Sequence, residues 1–144
     1  MVIKEANIKV RSKIEELDAA GFGMGSPEVN EIDVSGYYYY SEQSVRLTYT
    51  ERGEGGEVNT EVLFSEGGVT VKRSGAIESE MHFFVGQEHS SVYSVPPYKF
   101  DMSVIPLRIK TELSLSGGEV DLYYNMNIGG AGKAVRMRIW IQLS

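Results

Sequence analysis

The sequence contains no cysteine, so neither a disulfide framework nor a thiolate nucleophile or metal ligand can form. No apolar run approaches the roughly eighteen residues of a membrane-spanning helix. Charges interrupt every apolar stretch of the N-terminal "MVIKEANIKVRSKIEEL", which therefore does not read as a secretory leader. The expected location is the cytoplasm. Only two histidines occur, His82 and His89, and two ligands without a third do not define a catalytic zinc site. Basic charge is in the minority: 14 Lys and Arg against 20 Asp and Glu leave a net charge of −6. That balance favours solubility and argues against non-specific binding to nucleic acid or to an anionic membrane.

What the sequence has in abundance is alternation. In segment after segment apolar residues recur at every second position, the period of a strand with one buried face. Val120, Leu122, Tyr124, Met126 and Ile128 alternate with Asp121, Tyr123, Asn125 and Asn127, and Val135, Met137, Ile139, Ile141 and Leu143 alternate with Arg136, Arg138, Trp140 and Gln142. Between such runs lie "RGEGGE", "SEGG", "VGQEHS", "LSGGE" and "IGGAGK", glycine-rich and suited to hairpin turns. The spacing predicts an all-β chain, an antiparallel up-and-down meander closing into a barrel of about 8–10 strands, because closure removes exposed edges. A two-sheet sandwich is the alternative. The 144 residues suit a single β-barrel domain. Residues 15–27 lack the alternation and are expected to form a loop or a short helical turn. Between Tyr98 and Leu115 the buried phase changes, from Phe100, Met102 and Val104 to Leu107, Ile109, Leu113 and Leu115, and a bulge is placed at Pro106.

Four consecutive tyrosines, Tyr37 to Tyr40, look like a binding surface, but successive strand residues face opposite sides. Tyr38 and Tyr40 share the inward face with Ile32, Val34 and Gly36, whereas Tyr37 and Tyr39 face solvent. With "SEQS" as a hairpin loop, Tyr40 pairs with Val45, Tyr38 with Leu47 and Gly36 with Tyr49. Extending the pairing sets Arg73 opposite Thr60, and Thr60 opposite Tyr49, on the inward face. A guanidinium there needs a partner. Glu51, inward and one row away, is the expected one, helped by the hydroxyls of Tyr49 and Tyr93. The group either closes one barrel end as a satisfied polar plug or anchors an anionic or polar ligand. Val85, Met81, Phe83 and Val95 are expected on the same inward face.

Tyr49-x-Glu51, Arg73-Ser74-Gly75, Met81-x-Phe83-x-x-Gly86, Tyr93-x-Val95-Pro96 and Gly118-x-Val120-x-Leu122-x-Tyr124 together resemble, in order and spacing, the YwiB-like bacterial family called domain of unknown function 1934. The resemblance runs from about residue 30 to residue 143. It implies a calycin-type, lipocalin-like barrel in a cytosolic bacterial protein, without an established activity. The sequence departs from the family pattern at Val95, Pro96, Pro97 and Tyr98, where threonine, proline and a nearby glycine are usual. A threonine expected on the next strand is replaced around Pro106 and Leu107.

Several apparent motifs carry no chemistry. "GGAGKA" lacks the first glycine and the Ser or Thr of a phosphate loop and reads as a hairpin turn. "GFGMGS" has Ser26 where a dinucleotide loop needs its third glycine, and reads as a flexible loop. No catalytic constellation, cofactor motif or metal site is found, and His82 is expected to point outward. The leading expectation is a non-enzymatic protein binding a small polar or anionic ligand through Arg73, Glu51, Tyr49, Tyr93 and Thr60. The alternative is an interaction module or homodimer using Trp140, Arg138, Arg136, Tyr37 and Tyr39 outside a barrel filled by its own side chains.

Overall fold

The computed structural model describes every residue from Met1 to Ser144. Its ten strands are β1 (Val2–Leu17), β2 (Gly23–Tyr40), β3 (Val45–Gly53), β4 (Gly56–Ser65), β5 (Gly68–Gly75), β6 (Ser79–Phe84), β7 (His89–Val95), β8 (Tyr98–Ser114), β9 (Gly117–Ile128) and β10 (Ala131–Leu143). All belong to one antiparallel sheet in the order β6-β5-β4-β3-β2-β1-β10-β9-β8-β7. Sequence neighbours are therefore spatial neighbours, and β1 pairs with β10. The remaining seam, between β6 and β7, is held at one point, where the backbones of Glu78 and Ser94 exchange two hydrogen bonds of 2.8 Å. Beside it the Ser91 hydroxyl donates to the Glu80 carbonyl at 2.9 Å. The result is the up-and-down barrel that alternation predicts, nearly closed, and not a sandwich.

Turn chemistry sets these registers. Gly129 and Gly130, with φ of 57° and 92°, take left-handed conformations between β9 and β10, so "GGAGKA" is a hairpin turn. The loop after Tyr40 gives Tyr40↔Val45, Tyr38↔Leu47 and Gly36↔Tyr49, as the alternation requires. Twenty-one buried hydrophobic residues form one core on the inward face. Phe83 packs on Tyr124 with ring centroids 4.7 Å apart. At the end of the barrel holding both termini, the Tyr38 hydroxyl crosses from β2 to donate to the Ser114 carbonyl on β8 at 2.8 Å. Outside, Tyr37 is 48% exposed, and Tyr39 lies beneath the Arg46 guanidinium, 4.1 Å from its ring centroid.

The structure corrects five expectations. Residues 15–27 are neither helical turn nor flexible loop: β1 continues to Leu17, a turn follows with the Ala20 and Phe22 amides donating to Asp18 Oδ1, and β2 begins at Gly23. The alternation is lost there because Ile14 pairs with Glu28 but Glu16 pairs with Met24, so β2 bulges outward by extra residues around Gly25, whose φ is 69°. Near Pro106 the bulge is present, but Pro106 stays buried and Leu107 is the residue extruded, 50% exposed. Phe100, next to the open end of β8, is 42% exposed instead of buried, and Val85, beyond the end of β6, is 61% exposed. Leu115 also meets solvent, since it stands in the β8–β9 turn.

β2 is much longer than its partner β3. Only Gly36–Tyr40 pair with β3, so the segment from Gly23 to Ser35 is hydrogen-bonded on its β1 side alone.

Candidate functional site

Across four consecutive strands the registers Tyr49↔Thr60, Thr60↔Arg73 and Arg73↔Ser79 line up one polar row on the inward face. The Glu78↔Ser94 bridge then sets Tyr93 of β7 beside Ser79. A polar row inside an apolar barrel must satisfy its hydrogen-bonding groups or carry a cost of about 1–3 kcal/mol for each buried group left alone. This row does not satisfy them. Thr60, 2% exposed, and Ser79, 8% exposed, both have a buried hydroxyl without a hydrogen-bond partner. Arg73, half-buried between them, forms no ion pair.

The expected Glu51–Arg73 plug is therefore not made. Glu51 is inward and half-buried, opposite Val58, but the two-residue offset along the strands leaves its carboxylate beside Tyr49 and out of ion-pair distance of the guanidinium. Burial raises the Tyr49 phenol above its usual pKa, and the Arg73 guanidinium is the strongest influence pulling it back. The Thr60 hydroxyl and the Arg73 guanidinium also come close enough to the phenol to lower it further, Thr60 without bonding geometry. Burial likewise pushes Tyr124 up to about 12 against the opposing pull of Arg73. Both phenols thus stay neutral near Arg73, and the cation has no resident anion.

Arg73 faces a cavity of about 220 Å³ at the barrel end opposite the termini. Nine of its twelve lining residues are hydrophobic, and Tyr93 is among them. Four methionines line it from four strands: Met81 on β6, Met102 on β8, Met126 on β9 and Met137 on β10. Lys133 stands at the rim in the phase of Val135 and Met137, half-buried and without an ion pair; Glu16, opposite it on β1, is exposed. The Pro96–Pro97 turn, where the sequence departs from the family pattern, lies at this same end. Of the sequence-predicted residues Arg73 and Tyr93 line this cavity; Tyr49 and Thr60 continue the polar row beside Arg73 without lining it, and Glu51 stands at the margin. Ser79, Lys133 and the methionine lining were missed. Their signal was present, since each follows the inward phase of its strand, but lysine and serine at strand ends read as solvated.

The outer stripe is arranged differently. Arg136 grips the Asp121 carboxylate with two hydrogen bonds of 3.2 and 2.8 Å, which holds that carboxyl below its usual pKa. The Arg138 guanidinium lies 5.0 Å and the Lys9 ammonium 5.9 Å from the Trp140 ring centroid. Trp140 and Tyr37 are not contiguous: β1 runs between them, with Lys9 opposite Trp140 and Glu5 opposite Tyr37. A shallow outer groove over β2–β5, bordered by Tyr37, Thr48, Asn59 and Lys72, is wider than the inner cavity but polar and open. His82 points outward as expected, its Nε2 3.1 Å from Glu80 and its Nδ1 3.3 Å from the Thr70 hydroxyl. The His89 ring lies 4.3 Å from that of His82, and its buried Nδ1 has no partner. No group of three or more His, Cys, Asp or Glu residues is placed to hold a metal ion, and no helix is long and apolar enough to cross a membrane.

Comparison with known proteins assigns the chain to a family. The model of the domain of unknown function DUF1934 matches residues 8–139, and the chain belongs to that family. It is 31% identical over 105 residues to the uncharacterized beta-barrel protein YwiB of Bacillus subtilis (strain 168), a match covering 73% of this chain and 74% of that protein. The crystal structure of the YwiB protein from Bacillus subtilis superposes with a TM-score of 0.85 at 28% identity, covering 99% of this chain and 93% of the other.

Proposed function

Taking membership of the DUF1934 family as the premise, we propose that this barrel binds a small anionic molecule, with Arg73 as its electrostatic anchor. One observation carries the reading: an inward guanidinium without a carboxylate partner stands between two buried hydroxyls that also lack partners. A charge-assisted bond from Arg73 and bonds from Thr60 and Ser79 would satisfy all three groups at once. Tyr93 borders the cavity that Arg73 faces, and Tyr49 stands next to Thr60 in the polar row. The lipocalin-like likeness of the family adds a barrel interior as a natural place for a ligand. The reading is that of a non-catalytic carrier or sensor in the cytoplasm. The imidazoles and Glu80, the nearest acid–base candidates, lie on the outer face away from the cavity.

The test is a native mass spectrum of the protein purified gently from a bacterial cytosol, beside its Arg73→Met variant. A ligand adduct is expected on the native chain and lost in the variant. The variant should unfold at an equal or higher temperature, since a half-buried unpaired cation is replaced by an apolar side chain of similar length. An adduct retained by a stable Arg73→Met chain overturns the assignment.

A further inference from the structure

We infer that the ligand is a compact amphipathic anion: a single carboxylate-class head on an apolar body no larger than one aromatic ring or a short acyl chain. This rests on the reading of Arg73 as an anion anchor and adds size and chemistry to it.

Size comes from the cavity. An apolar cavity of about 150 Å³ accommodates benzene, and drug-sized ligands occupy about 300–1,000 Å³. At about 220 Å³ this one has space for a ring, or a chain of comparable volume, together with a small head group. Nucleotides are too large, and sugar phosphates would leave their hydroxyls against hydrophobic walls, where each unsatisfied polar group is costly.

Chemistry comes from the division of the lining. The body of the ligand meets Met81, Met102, Met126 and Met137, whose unbranched thioethers can mould around either a flat or a bent apolar group. The Phe83–Tyr124 pair forms the floor: Tyr124 lines the cavity and Phe83 packs beneath it. Polar functions are few: Ser12, Arg73 and Lys133 are the polar residues of the lining. Arg73 offers a planar fork suited to two carboxylate oxygens, its register neighbours Thr60 and Ser79 carry hydroxyls just behind the lining, and Lys133 adds a second cation at the rim. The carboxylates that approach from neighbouring strands, Glu51 on β3 and Glu16 on β1, pair with neither cation. The cavity therefore presents positive charge at its edge and thioether at its centre, a lining that matches an anion with an apolar body better than either half alone.

The experiment uses the full chain with 13C-labelled methionine methyl groups, titrated with benzoate, phenylacetate, hexanoate and octanoate. Benzyl alcohol serves as a neutral isostere and inorganic phosphate as a charge-only probe. At least one carboxylate is expected to shift the methyls of Met81, Met102, Met126 and Met137 saturably while leaving the exposed Met1 and Met24 unmoved. Affinity should fall about tenfold or more for the neutral isostere and in Arg73→Met, the scale of a lost charge-assisted bond. Arg73→Lys, which keeps charge but not the fork, should fall between. If phosphate binds at Arg73 and no carboxylate moves the four methyls, the amphipathic inference is overturned while the anion site stands. If benzyl alcohol binds as tightly as benzoate, or no probe binds at millimolar concentration, both readings fall.

Discussion

At the barrel end that holds the termini, Tyr38 reaches across the interior to the Ser114 carbonyl, and fully buried Ile8, Leu47 and Val69 fill the space around it. At the opposite end Arg73, Lys133 and four methionines surround a cavity, and two orphaned hydroxyls flank Arg73 in its row. Backbone pairing differs at the β2–β3 ladder, which is confined to Gly36–Tyr40 at the sealed end. The inward residue at each step differs as well. Branched and aromatic side chains in fixed rotamers fill one end, and long, flexible or charged ones leave space at the other. A barrel of this size can be sealed or hollow at either end without changing its strands, which is why closure and binding can be assigned to opposite ends of one sheet.

That contrast can be broken most forcefully in the middle, where the filled part meets the cavity floor. Phe83→Ala should cost about 3–5 kcal/mol in denaturant unfolding, because the ring is completely buried and its neighbours cannot collapse into the space. A loss below about 1 kcal/mol on that scale would show that the interior is plastic throughout and that the two ends do not differ in kind. A smaller effect is expected at the sealed end. Tyr38→Phe removes the bond to Ser114 and should cost about 1 kcal/mol, the usual net worth of such a bond. The Tyr38 phenol, raised to about 12 chiefly by burial with Tyr40 adding to it, remains a protonated donor at neutral pH. An unchanged unfolding midpoint would remove the hydroxyl from the seal.

The smallest effect belongs to the side of the barrel, at the β6–β7 seam. Burial, and secondly the neighbouring His82, hold the His89 imidazole below its ordinary 6.5, with Glu80 opposing. As pH falls through 6.5 the unfolded chain takes up a proton that the folded chain resists, so stability is full above that value and declines on acidification. Glu80, held low first by its hydrogen bond to His82 and helped by the charge of Lys72, adds a further loss only below its ordinary 4.5. Between about pH 7.5 and about pH 5.5 the native chain should lose more in its unfolding midpoint than His89→Gln, by less than the loss expected for Tyr38→Phe. Equal losses in the two proteins would exclude His89 as the cause.

How far the sequence carried the reading depends on the range of the signal. Hairpin registers such as Gly36↔Tyr49 and Thr60↔Arg73 follow from alternation and turn length, both local, and they place Arg73 among Tyr49, Thr60 and Tyr93 without a structure. The absent Glu51–Arg73 pair was not legible, because the reach of a side chain across a twisted sheet is not a property of register. Leu107 and Pro106 exchanged places for a related reason: alternation detects that a residue is inserted but not which one is extruded. The Gly25 bulge hid a strand by the same mechanism. Lys133 and Ser79 were overlooked because strand-end polar residues are ordinarily solvated, and only the closed barrel turns Lys133 toward a cavity and buries Ser79.

The long unpaired side of β2 sets a condition on how the protein can be handled. From Gly23 to Ser35 its outer backbone groups offer a template to any other strand, the arrangement from which fibrils grow. The side chains along it are guards: Pro27 cannot donate to a ladder, and Glu28, Glu31 and Asp33 would meet their own copies at every layer of a stack. Their protection is electrostatic, so it weakens when carboxylates are protonated or salt is high. Acid storage and concentrated salt are accordingly the conditions in which this chain should first begin to polymerise through its longest hairpin.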